Sequence, residues 1–460
     1  MTLIKSISGI RGTIGGSPSS NLTPLDIVRF TTAYGQWLKE KSQNNLTVVT
    51  GRDARISGPM VHALVNQTLV GMGINVIDLG LSTTPTVAVA VPWEKANGGI
   101  ILTASHNPKE WNALKLLNAD GEFINAEAGQ KVLEYAEKEA FDYAQVDFLG
   151  TLEKCSDYIQ KHIEATLNMD YVARDGIRNK KFKVVVDGVN SSGGIAIPQL
   201  LEALKIEVVK IHCEPNGHFP HNPEPLKEHL GDLCDAVVSH KADFGIAVDP
   251  DVDRLVFVDE KGELFGEEYT LVTCADYILS KTPGATVSNL SSTRALADLT
   301  QRYGEGYSAS AVGEVNVVTE MKSVQAVIGG EGNGGIIYPP LHYGRDALVG
   351  VVFFLSLLVE RKIKVSQLRA TYSSYFMSKN KITLEKGMNV DDLLLQIRER
   401  YASERISTID GVKIDFDESW VHLRKSNTEP IIRIYTEATS EEQAVALANR
   451  FVSEIRSLFL

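Results

Sequence analysis

The chain contains little cysteine and no long apolar segment, and both shortages limit what it can be. Its 460 residues include four cysteines, which are scattered and form no Cys-x-x-Cys pair. This argues against a disulfide scaffold and predicts reduced thiols in a cytosolic protein. The most apolar long run, residues 347–359, has thirteen residues and predicts a buried helix, because it is too short to span a bilayer. The first residues lack the apolar core of a signal peptide, so we expect a cytoplasmic protein.

Positive charge is also in short supply. Lysine and arginine number 46 against 58 aspartates and glutamates, which gives a formal net charge of −12. We therefore expect neither nucleic acid nor a membrane as partner. An anionic small molecule would need cationic side chains gathered at one place. With 43% hydrophobic and 23% charged residues, the composition is that of a globular protein of several domains.

A strand–helix–strand pattern occurs three times, beginning near Leu46, Lys183 and Ala285. Each copy is followed by another apolar strand that ends in a polar loop, at residues 99–103, 244–248 and 324–328. Such units predict mainly parallel sheets with helical crossovers. Towards the C-terminus the pattern changes to an antiparallel meander and an amphipathic helix. We therefore predict an α/β fold with three related mixed α/β domains, their sheets lying between helices, and a smaller C-terminal α+β domain, arranged around a central cleft. The predicted domains are residues 1–150, 151–258, 259–375 and 376–460.

The most informative stretch is 103–108, Thr-Ala-Ser-His-Asn-Pro, which follows the apolar segment 99–102. It predicts that Ser105 emerges at the carboxyl edge of a sheet, where α/β folds bind ligands. Lys115 is placed to return to the same cleft as a proton donor or acceptor. The plain alternative is an ordinary Ser-Asn-Pro turn. A hydrolase nucleophile elbow is disfavoured, since Ser105 is not flanked by glycines and the adjacent His106 is poorly placed as its base.

Three carboxylates alternate along the segment Asp249-Pro-Asp-Val-Asp253. Alternate residues of an extended segment face one side, so the three aspartates can converge on one Mg²⁺. A solvated acidic turn is the plain alternative. A calcium-binding loop is disfavoured because Arg254 stands where such a loop needs glycine, and strands are predicted on both sides.

Two further segments carry polar groups suited to a sugar phosphate. The segment 329–335 has too many glycines for a strand or a helix, lacks the Gly-Lys-Ser/Thr of a P-loop, and presents Glu331 and Asn333 for hydroxyl recognition. The turn 424–430, with Arg433 beyond it, offers the donors that a phosphate dianion binds, although a hydrophilic hairpin loop is the plain alternative. Arg11, between glycines, is a second candidate anion contact.

Together these motifs resemble the α-D-phosphohexomutase superfamily of phosphoglucomutases, phosphomannomutases and phosphoglucosamine mutases, from residue 10 to residue 433. The resemblance implies an isomerase that moves a phosphoryl group between the 6- and 1-positions of a hexose phosphate. It implies a phosphoserine at Ser105, a hexose 1,6-bisphosphate as intermediate and activator, and Mg²⁺ as cofactor. The implied catalytic residues are Ser105, Lys115, Arg11, His106 and Arg254. The implied metal ligands are Ser105, Asp249, Asp251 and Asp253. The implied substrate-binding residues are Glu331, Asn333, Arg424, Ser426, Asn427, Thr428 and Arg433.

The chain departs from relatives at two places. It has Asn333-Gly-Gly where many bacterial members have Ser-Gly-His, and serines near position 291 where some members carry a lysine. The segment Thr428-Glu-Pro resembles phosphoglucosamine mutases, so we expect conversion of glucosamine 6-phosphate to glucosamine 1-phosphate. The alternative is a phosphomannomutase/phosphoglucomutase of broad specificity. Two other classes stay open: a metal-dependent phosphatase using the same serine, and a catalytically silent module that binds sugar phosphates.

Overall fold

The computed structural model of the protein describes residues 2–6, 9–42, 45–383, 389–425 and 431–458. Within these residues four β-sheets follow one another along the chain, each with its own helices. We call these units domain 1 to domain 4 in chain order. Among the described helices, none combines the length and the apolar character needed to cross a membrane.

In domain 1 the described strands form one sheet in the order β1-β2-β6-β5-β3-β4-β7. Its strands are β1 (Ile4–Ser6), β2 (Gly9–Thr13), β3 (Thr47–Arg52), β4 (Asn75–Leu81), β5 (Gly98–Leu102), β6 (Trp111–Leu117) and β7 (Leu152–Lys154), and its helices are α1 (Pro24–Lys41), α2 (Gly58–Gly71), α3 (Thr84–Trp93) and α4 (Ala126–Lys138). The prediction of a mainly parallel sheet is wrong for half of this sheet. Strands β3, β4, β5 and β7 pair in parallel, whereas β6 runs antiparallel to both β5 and β2. The short 103–110 loop explains this, because it cannot make the crossover that a parallel neighbour needs.

Domain 2 has a described sheet in the order β11-β10-β8-β9. Its strands are β8 (Lys183–Asp187), β9 (Glu207–Ile211), β10 (Phe244–Val248) and β11 (Leu255–Val258), and its helices are α5 (Tyr158–Leu167), α6 (Arg174–Lys180), α7 (Gly193–Ala203) and α8 (Gly231–Ser239). Every residue of β10 is buried, as expected for a central strand covered on both faces. The segment that follows β10 begins with Asp249.

Domain 3 has a described sheet in the order β13-β12-β14-β15-β16. Its strands are β12 (Thr286–Asn289), β13 (Tyr307–Ser310), β14 (Ile328–Glu331), β15 (Gly335–Tyr338) and β16 (His342–Arg345), and its helices are α9 (Glu267–Leu279), α10 (Ala295–Arg302), α11 (Glu314–Ser323), α12 (Ala347–Arg361) and α13 (Val365–Arg369). The strand predicted at 324–328 is wrong in position, since β14 begins at Ile328 and extends into the glycine-rich segment. Strands β14 and β15 form a tight antiparallel hairpin.

Glycines make this hairpin possible instead of preventing it. A side chain at Gly329 would lie 2.8 Å from the carbonyl oxygen of Val287 on the neighbouring strand. Gly330 has a φ of +157°, and a side chain there would collide with the carbonyl oxygen of Gly335. The expectation that so many glycines exclude a strand is therefore wrong here, because these positions have no room for a Cβ atom.

Domain 4 confirms the predicted antiparallel meander, with the described strands in the order β17-β21-β20-β19-β18. Its elements are β17 (Phe376–Thr383), α14 (Val390–Arg400), β18 (Arg405–Ser407), β19 (Val412–Asp415), β20 (Trp420–Lys425), β21 (Ile431–Ala438) and α15 (Glu441–Ser457). The predicted phosphate-binding residues Ser426, Asn427 and Thr428 lie between β20 and β21, outside the described residues.

Helix α12 joins domains 2 and 3 into a continuous core, and its predicted burial is confirmed. The ring of Phe354 on α12 stacks on that of Phe257 on β11, with centroids 3.6 Å apart. The four cysteines of the chain are unpaired, as predicted.

Candidate active site

One cleft of about 560 Å³ lies between the four domains. The predicted site residues that line it are Arg11, Ser105, His106, Lys115, Arg254, Glu331, Asn333, Arg424 and Arg433. Further cationic and acidic side chains in the same wall are Lys379, Arg345, Glu224, Glu268 and Glu314. The fold therefore gathers local positive charge in an acidic protein, as binding of an anionic substrate requires.

Ser105 sits at the end of β5 in an unusual backbone conformation. Its φ is +50°, in the left-handed region, and it is 9% exposed. Its Oγ donates a hydrogen bond of 2.7 Å to Oδ2 of Asp249, while Nδ1 of His106 is 3.5 Å away. Left-handed residues other than glycine and asparagine cluster at functional sites, where the surrounding structure holds them. The hydroxyl is thus held between domain 1 and domain 2.

The side chain that holds this loop is Arg55, which sequence reasoning did not select. Its guanidinium is fully buried, and its Nε lies 3.0 Å from Oδ2 of Asp53. It donates hydrogen bonds to the backbone carbonyl oxygens of Ser105, Asn107, Pro108 and Trp111. A planar group with five donors suits such a set of acceptors. The available signal was an Asp-x-Arg pair directly after an apolar strand.

The three aspartates form a buried acidic group beside Ser105. One carboxylate oxygen of each lies within 4.8 Å of the others. The second oxygens of Asp251 and Asp253, the Oδ1 atoms, are buried and have no hydrogen-bond partner. Burial, together with the charges of Asp251 and Asp253, raises the pKa of Asp249 well above its usual value. Orphaned hard oxygens in this arrangement fit a divalent cation such as Mg²⁺.

Lys115 reaches this group from the antiparallel strand β6. Its Nζ lies 2.6 Å from Oδ2 of Asp251 and 3.6 Å from Oδ2 of Asp253. Burial opposes its charge, but the two aspartates raise the pKa of Lys115 above its usual value. For His106, burial and then the charges of Arg254 and Arg11 lower the pKa well below its usual value. These shifts favour the cationic form of Lys115 and the neutral form of His106.

Domains 1 and 2 are tied together directly beneath the site. The backbone N–H of Thr84 donates to the carbonyl oxygen of Asp251 at 2.8 Å, and its hydroxyl donates to the carboxylate of the same residue. Ser191 donates to the carbonyl oxygen of Pro250 at 2.8 Å and accepts from the N–H of Ala54 at 3.2 Å. Ser105 and the aspartates are consequently fixed relative to one another.

Arg345, at the end of β16, links the acidic group to the wall of the cleft that carries Glu314 and Glu331. Sequence reasoning also missed this residue. Its guanidinium makes ion pairs with Asp253 at 2.7 Å, Glu314 at 2.8 Å and Glu331 at 2.9 Å. Burial opposes its charge, yet these carboxylates raise the pKa of Arg345 well above its usual value. Glu331 is thus held by a cation, and its other oxygen accepts from Asn289.

Glu268, at the start of α9, is a buried carboxylate in the same wall. Its Oε2 accepts a hydrogen bond of 2.8 Å from the N–H of Thr293, and burial raises the pKa of Glu268 well above its usual value. The carboxylate packs so tightly on Gly332 that any side chain there would collide with it. Asn333 is close by, with its Oδ1 accepting from the N–H of Gly335 at 3.2 Å.

Arg424 and Arg433 face each other on adjacent strands at the domain 4 side of the cleft. Like charges directly opposite one another in a sheet are destabilising, and here Nε of Arg424 also lies 3.2 Å from Oδ2 of Asp410. Both side chains line the cleft, together with Lys379 of β17. This edge is therefore suited to bind a phosphate group at a distance from Ser105.

Comparison with known proteins agrees with this geometry. The sequence matches the models for domains I, II and III and the C-terminal domain of phosphoglucomutase/phosphomannomutase, over residues 3–143, 156–262, 266–375 and 380–454. The chain belongs to this family.

Individual relatives of the phosphoglucomutase/phosphomannomutase family cover almost the whole chain. It is 36% identical to a phosphoglucomutase/phosphomannomutase of Thermococcus kodakarensis, over 94% of this chain and 95% of the relative. It is 30% identical to a phosphoglucosamine/phosphogalactosamine mutase of Sulfurisphaera tokodaii, over 98% of this chain and 97% of the relative. The crystal structure of a family member from Burkholderia thailandensis has the same fold, with a TM-score of 0.85, 24% identity, and coverage of 99% of this chain and 98% of that chain.

Proposed function

We propose that this chain is a phosphohexomutase that interconverts the 6- and 1-phosphates of a hexose through a phosphoserine at Ser105. The observation that carries the proposal is the position of Ser105, whose hydroxyl bonds Asp249 at one end of a cleft with a paired-arginine site at the other. A phosphatase has no need of the second phosphate site. The free cysteines are consistent with the cytoplasmic location that we propose for it.

In the proposed reaction the phosphorylated Ser105 gives its phosphoryl group to the free hydroxyl of a bound hexose monophosphate. The P–O bond to Ser105 breaks, a P–O bond to the sugar oxygen forms, the sugar hydroxyl loses its proton to a base in the cleft, and the Ser105 oxygen gains a proton. The hexose 1,6-bisphosphate then turns over, and its other phosphoryl group returns to Ser105. Phosphoryl transfer of this kind depends mainly on positioning and on charge stabilisation.

Residues around Ser105 would supply both the positioning and the charge stabilisation. Asp249, Asp251 and Asp253, with an oxygen on Ser105, would hold Mg²⁺, which when bound neutralises charge on the phosphoryl oxygens. Arg254 and Arg11 line the same end of the cleft and add positive charge there. Lys115 and His106 are the proposed acid–base and supporting groups. Arg424 and Arg433, with Ser426, Asn427 and Thr428, would bind the phosphate that is not being transferred.

We propose glucosamine 6-phosphate as the preferred substrate. Glucosamine differs from glucose by an ammonium group, and the cleft wall next to Glu331 contains a buried carboxylate, Glu268, that forms no ion pair among the described residues. Arg345 pairs with Glu331 and Glu314, whereas the hydrogen bond that Glu268 accepts from the described residues comes from the backbone N–H of Thr293. An ammonium group beside Glu268 would favour the ionised carboxylate that burial disfavours. The name of the Sulfurisphaera relative supports this substrate class.

A broad phosphomannomutase/phosphoglucomutase is the second candidate, which the name of the Thermococcus relative favours. Measuring kcat/KM for glucosamine, mannose and glucose 1-phosphates, with Mg²⁺ and catalytic hexose 1,6-bisphosphate, separates the two. We expect glucosamine to lead by about 100-fold, which corresponds to about 2.7 kcal/mol. Equal values would establish the broad enzyme. If glucosamine is the preferred substrate, Glu268→Gln should reduce kcat/KM for glucosamine 1-phosphate more than kcat/KM for glucose 1-phosphate.

Replacement of Ser105 tests the reaction itself. Ser105→Ala should abolish isomerisation and leave the melting temperature near that of the wild type, because the hydroxyl makes one short hydrogen bond, to Asp249, and one long contact, to His106. Intact mass spectrometry after incubation with hexose 1,6-bisphosphate should find one phosphoryl group on the wild type and none on the variant. Undiminished turnover by Ser105→Ala would disprove the phosphoserine route. Phosphate released as fast as isomer forms would identify a phosphatase. A wild type that shows neither phosphorylation nor turnover would identify a silent binding module.

A further inference from the structure

A second group of potential metal ligands lies in domain 2, away from the cleft. Asp187 ends β8 and is 1% exposed, and His212 and His221 approach it from the segment after β9. Oδ2 of Asp187 is 3.2 Å from Nδ1 of His212 and 3.0 Å from Nε2 of His221. None of these three residues is among those that line the cleft.

The outer nitrogens of both imidazoles also face acceptors. Nδ1 of His221 is 2.8 Å from the carbonyl oxygen of Asn222, which can only accept a hydrogen bond. Nε2 of His212 is 3.4 Å from Oδ2 of Asp232, which is a carboxylate oxygen. A neutral imidazole carries a single N–H. If each ring uses that N–H for its outer partner, both inner nitrogens direct lone pairs at the carboxylate of Asp187.

The inner nitrogens lie at hydrogen-bond distance from Asp187, and either protons or a metal ion can join these atoms. Two extra protons would create two imidazolium ions whose ring centroids are 5.5 Å apart and which share one carboxylate oxygen. One divalent metal ion would replace both protons and leave each outer N–H donating to its acceptor. Histidine ligands of metals have this arrangement, with the remote N–H bound to a carboxylate or a backbone carbonyl.

The spacing and the donor types also favour a metal. The three candidate ligand atoms lie within 4.8 Å of one another. The two distances to Asp187 are close to the edge of a tetrahedron with metal–ligand bonds of about 2.0 Å, which is about 3.3 Å. Two imidazoles and one carboxylate favour a borderline ion such as Zn²⁺, whereas Mg²⁺ favours oxygen ligands. We propose that Asp187, His212 and His221 form a Zn²⁺ site that is separate from the acidic site beside Ser105.

Such a site would fasten the segment 212–226 to the sheet of domain 2. This segment carries Glu224, whose carboxylate lies 3.2 Å from Nη1 of Arg254 in the cleft. It also carries Phe219, whose ring centroid is 5.0 Å from Cζ of Arg55. The metal would therefore hold a loop that contacts both the cleft and the residue supporting Ser105. Its role is structural, and it takes no part in phosphoryl transfer.

The experiment measures zinc stoichiometry in the full-length chain. Asp249→Asn serves as the parent, so that binding at the acidic site beside Ser105 is weakened. After removal of metals with a chelator and dialysis, the protein is titrated with Zn²⁺ by calorimetry and with Co²⁺ by visible absorption. We expect a tetrahedral Co²⁺ spectrum in the parent and one equivalent of Zn²⁺ whose binding depends on His212 and His221, because His162, His342 and Asp346 form another group of the same composition. Adding His212→Ala or His221→Ala should weaken binding more than about 100-fold.

His218→Ala is the matched control, because His218 is an exposed histidine of the same segment. This variant should bind Zn²⁺ like the parent, and Zn²⁺ should raise the melting temperature of both. The proposal is overturned if the parent binds no Zn²⁺, or if either ligand variant keeps the parent's stoichiometry and affinity. If a ligand variant does not fold, the Co²⁺ spectrum of the parent decides, and an octahedral spectrum counts against the site.

Discussion

At the scale of single residues, Arg55 connects the position of Ser105 to the interior of domain 1. Its guanidinium spans four carbonyl oxygens of one loop while its Nε pairs with Asp53. Asp53 in turn accepts a hydrogen bond of 2.6 Å from the hydroxyl of Thr103, which itself accepts from the N–H of Ser105 at 2.9 Å. The left-handed conformation of Ser105 is therefore supported from both sides of the loop.

Arg55→Lys should lower kcat/KM by about 100-fold, because an ammonium group cannot reach four carbonyls and a shift of the reacting atom by about 1 Å has effects of this size. The measurement is steady-state kinetics together with the extent of Ser105 phosphorylation. Arg52→Lys is the matched control, since Arg52 is a neighbouring arginine that donates to one carbonyl oxygen. Equal kinetics of the two variants would contradict a specific role for Arg55.

Arg345 is a second residue whose replacement should lower the stability of the protein. Arg345→Met leaves Asp253, Glu314 and Glu331 without their shared cation, and an uncompensated buried charge costs about 3–5 kcal/mol. We expect a lower urea midpoint and a higher KM, because Glu331 loses its support. The double variant Arg345→Met/Glu314→Gln should recover part of the lost stability. If the double variant is no more stable than Arg345→Met, the unpaired charge of Glu314 is not what destabilises the single variant.

The sequence singled out Ser105 and the three aspartates, which the structure brings together, but not the residues that support them. Ser105 and the aspartates stand out because polar groups directly after apolar strands are unusual. Arg55, Arg345 and Glu268 are ordinary charged residues in the sequence. Their importance depends on which carbonyls or carboxylates the fold brings to them, and that information is non-local.

At the scale of secondary-structure elements, the β14–β15 hairpin depends on small residues. Gly330→Ala should destabilise the protein by more than about 2 kcal/mol, because its Cβ would collide with the carbonyl oxygen of Gly335 and its φ is positive. The chemical denaturation midpoint is the measurement. Gly306→Ala is the control, since no atom lies within 4 Å of the added methyl group. A similar loss in both variants would contradict the argument from space.

The position of this hairpin could not be read from apolar periodicity. Residues 324–328 have the composition of a strand, yet Val324 caps helix α11 and β14 starts at Ile328. Tertiary packing decides the matter, since Met321 and the backbone of Val287 leave no room for a side chain at 329. Strands such as β10 were predictable because burial on both faces produces a continuous apolar run.

At the scale of the whole molecule, domain 4 meets domain 3 through a small set of polar contacts. Ser291 donates to Nδ1 of His422 at 2.9 Å, and Nε2 of His422 donates to the carbonyl oxygen of Asp410 at 2.6 Å. The N–H of Arg294 donates to Glu437 at 3.0 Å. Contacts of this kind are reversible, and movement of domain 4 would open the cleft.

The histidine makes this contact sensitive to acid. Burial, with further contributions from Lys413 and Arg424 against the opposing effect of Asp410, lowers the pKa of His422 to about 4. An unfolded histidine has a pKa of about 6.5, so the unfolded state binds more protons between these values. Stability should therefore fall as the pH is lowered from about 6.5 to about 4.

The check is the urea midpoint at about pH 7 and about pH 5 for the wild type and for His422→Gln. The glutamine variant has no proton to bind at this position, so its midpoint should change less. Ser291→Ala should keep the pH dependence and lose only the hydrogen bond. Equal changes in the wild type and His422→Gln would assign the acid sensitivity to other groups.

Ser291 lies where both His422 and a ligand in the cleft could bind its hydroxyl group. Its side chain lines the cleft, and its hydroxyl also donates the bond that holds domain 4 through His422. A ligand that accepted that hydrogen bond would loosen the closed arrangement at the moment of binding. In the proposed reaction the bisphosphate must either complete its turn or escape, and loss of this contact would favour escape. In a chain with lysine at position 291, the positive charge would help to retain the bisphosphate, whereas this chain has only a hydroxyl group there.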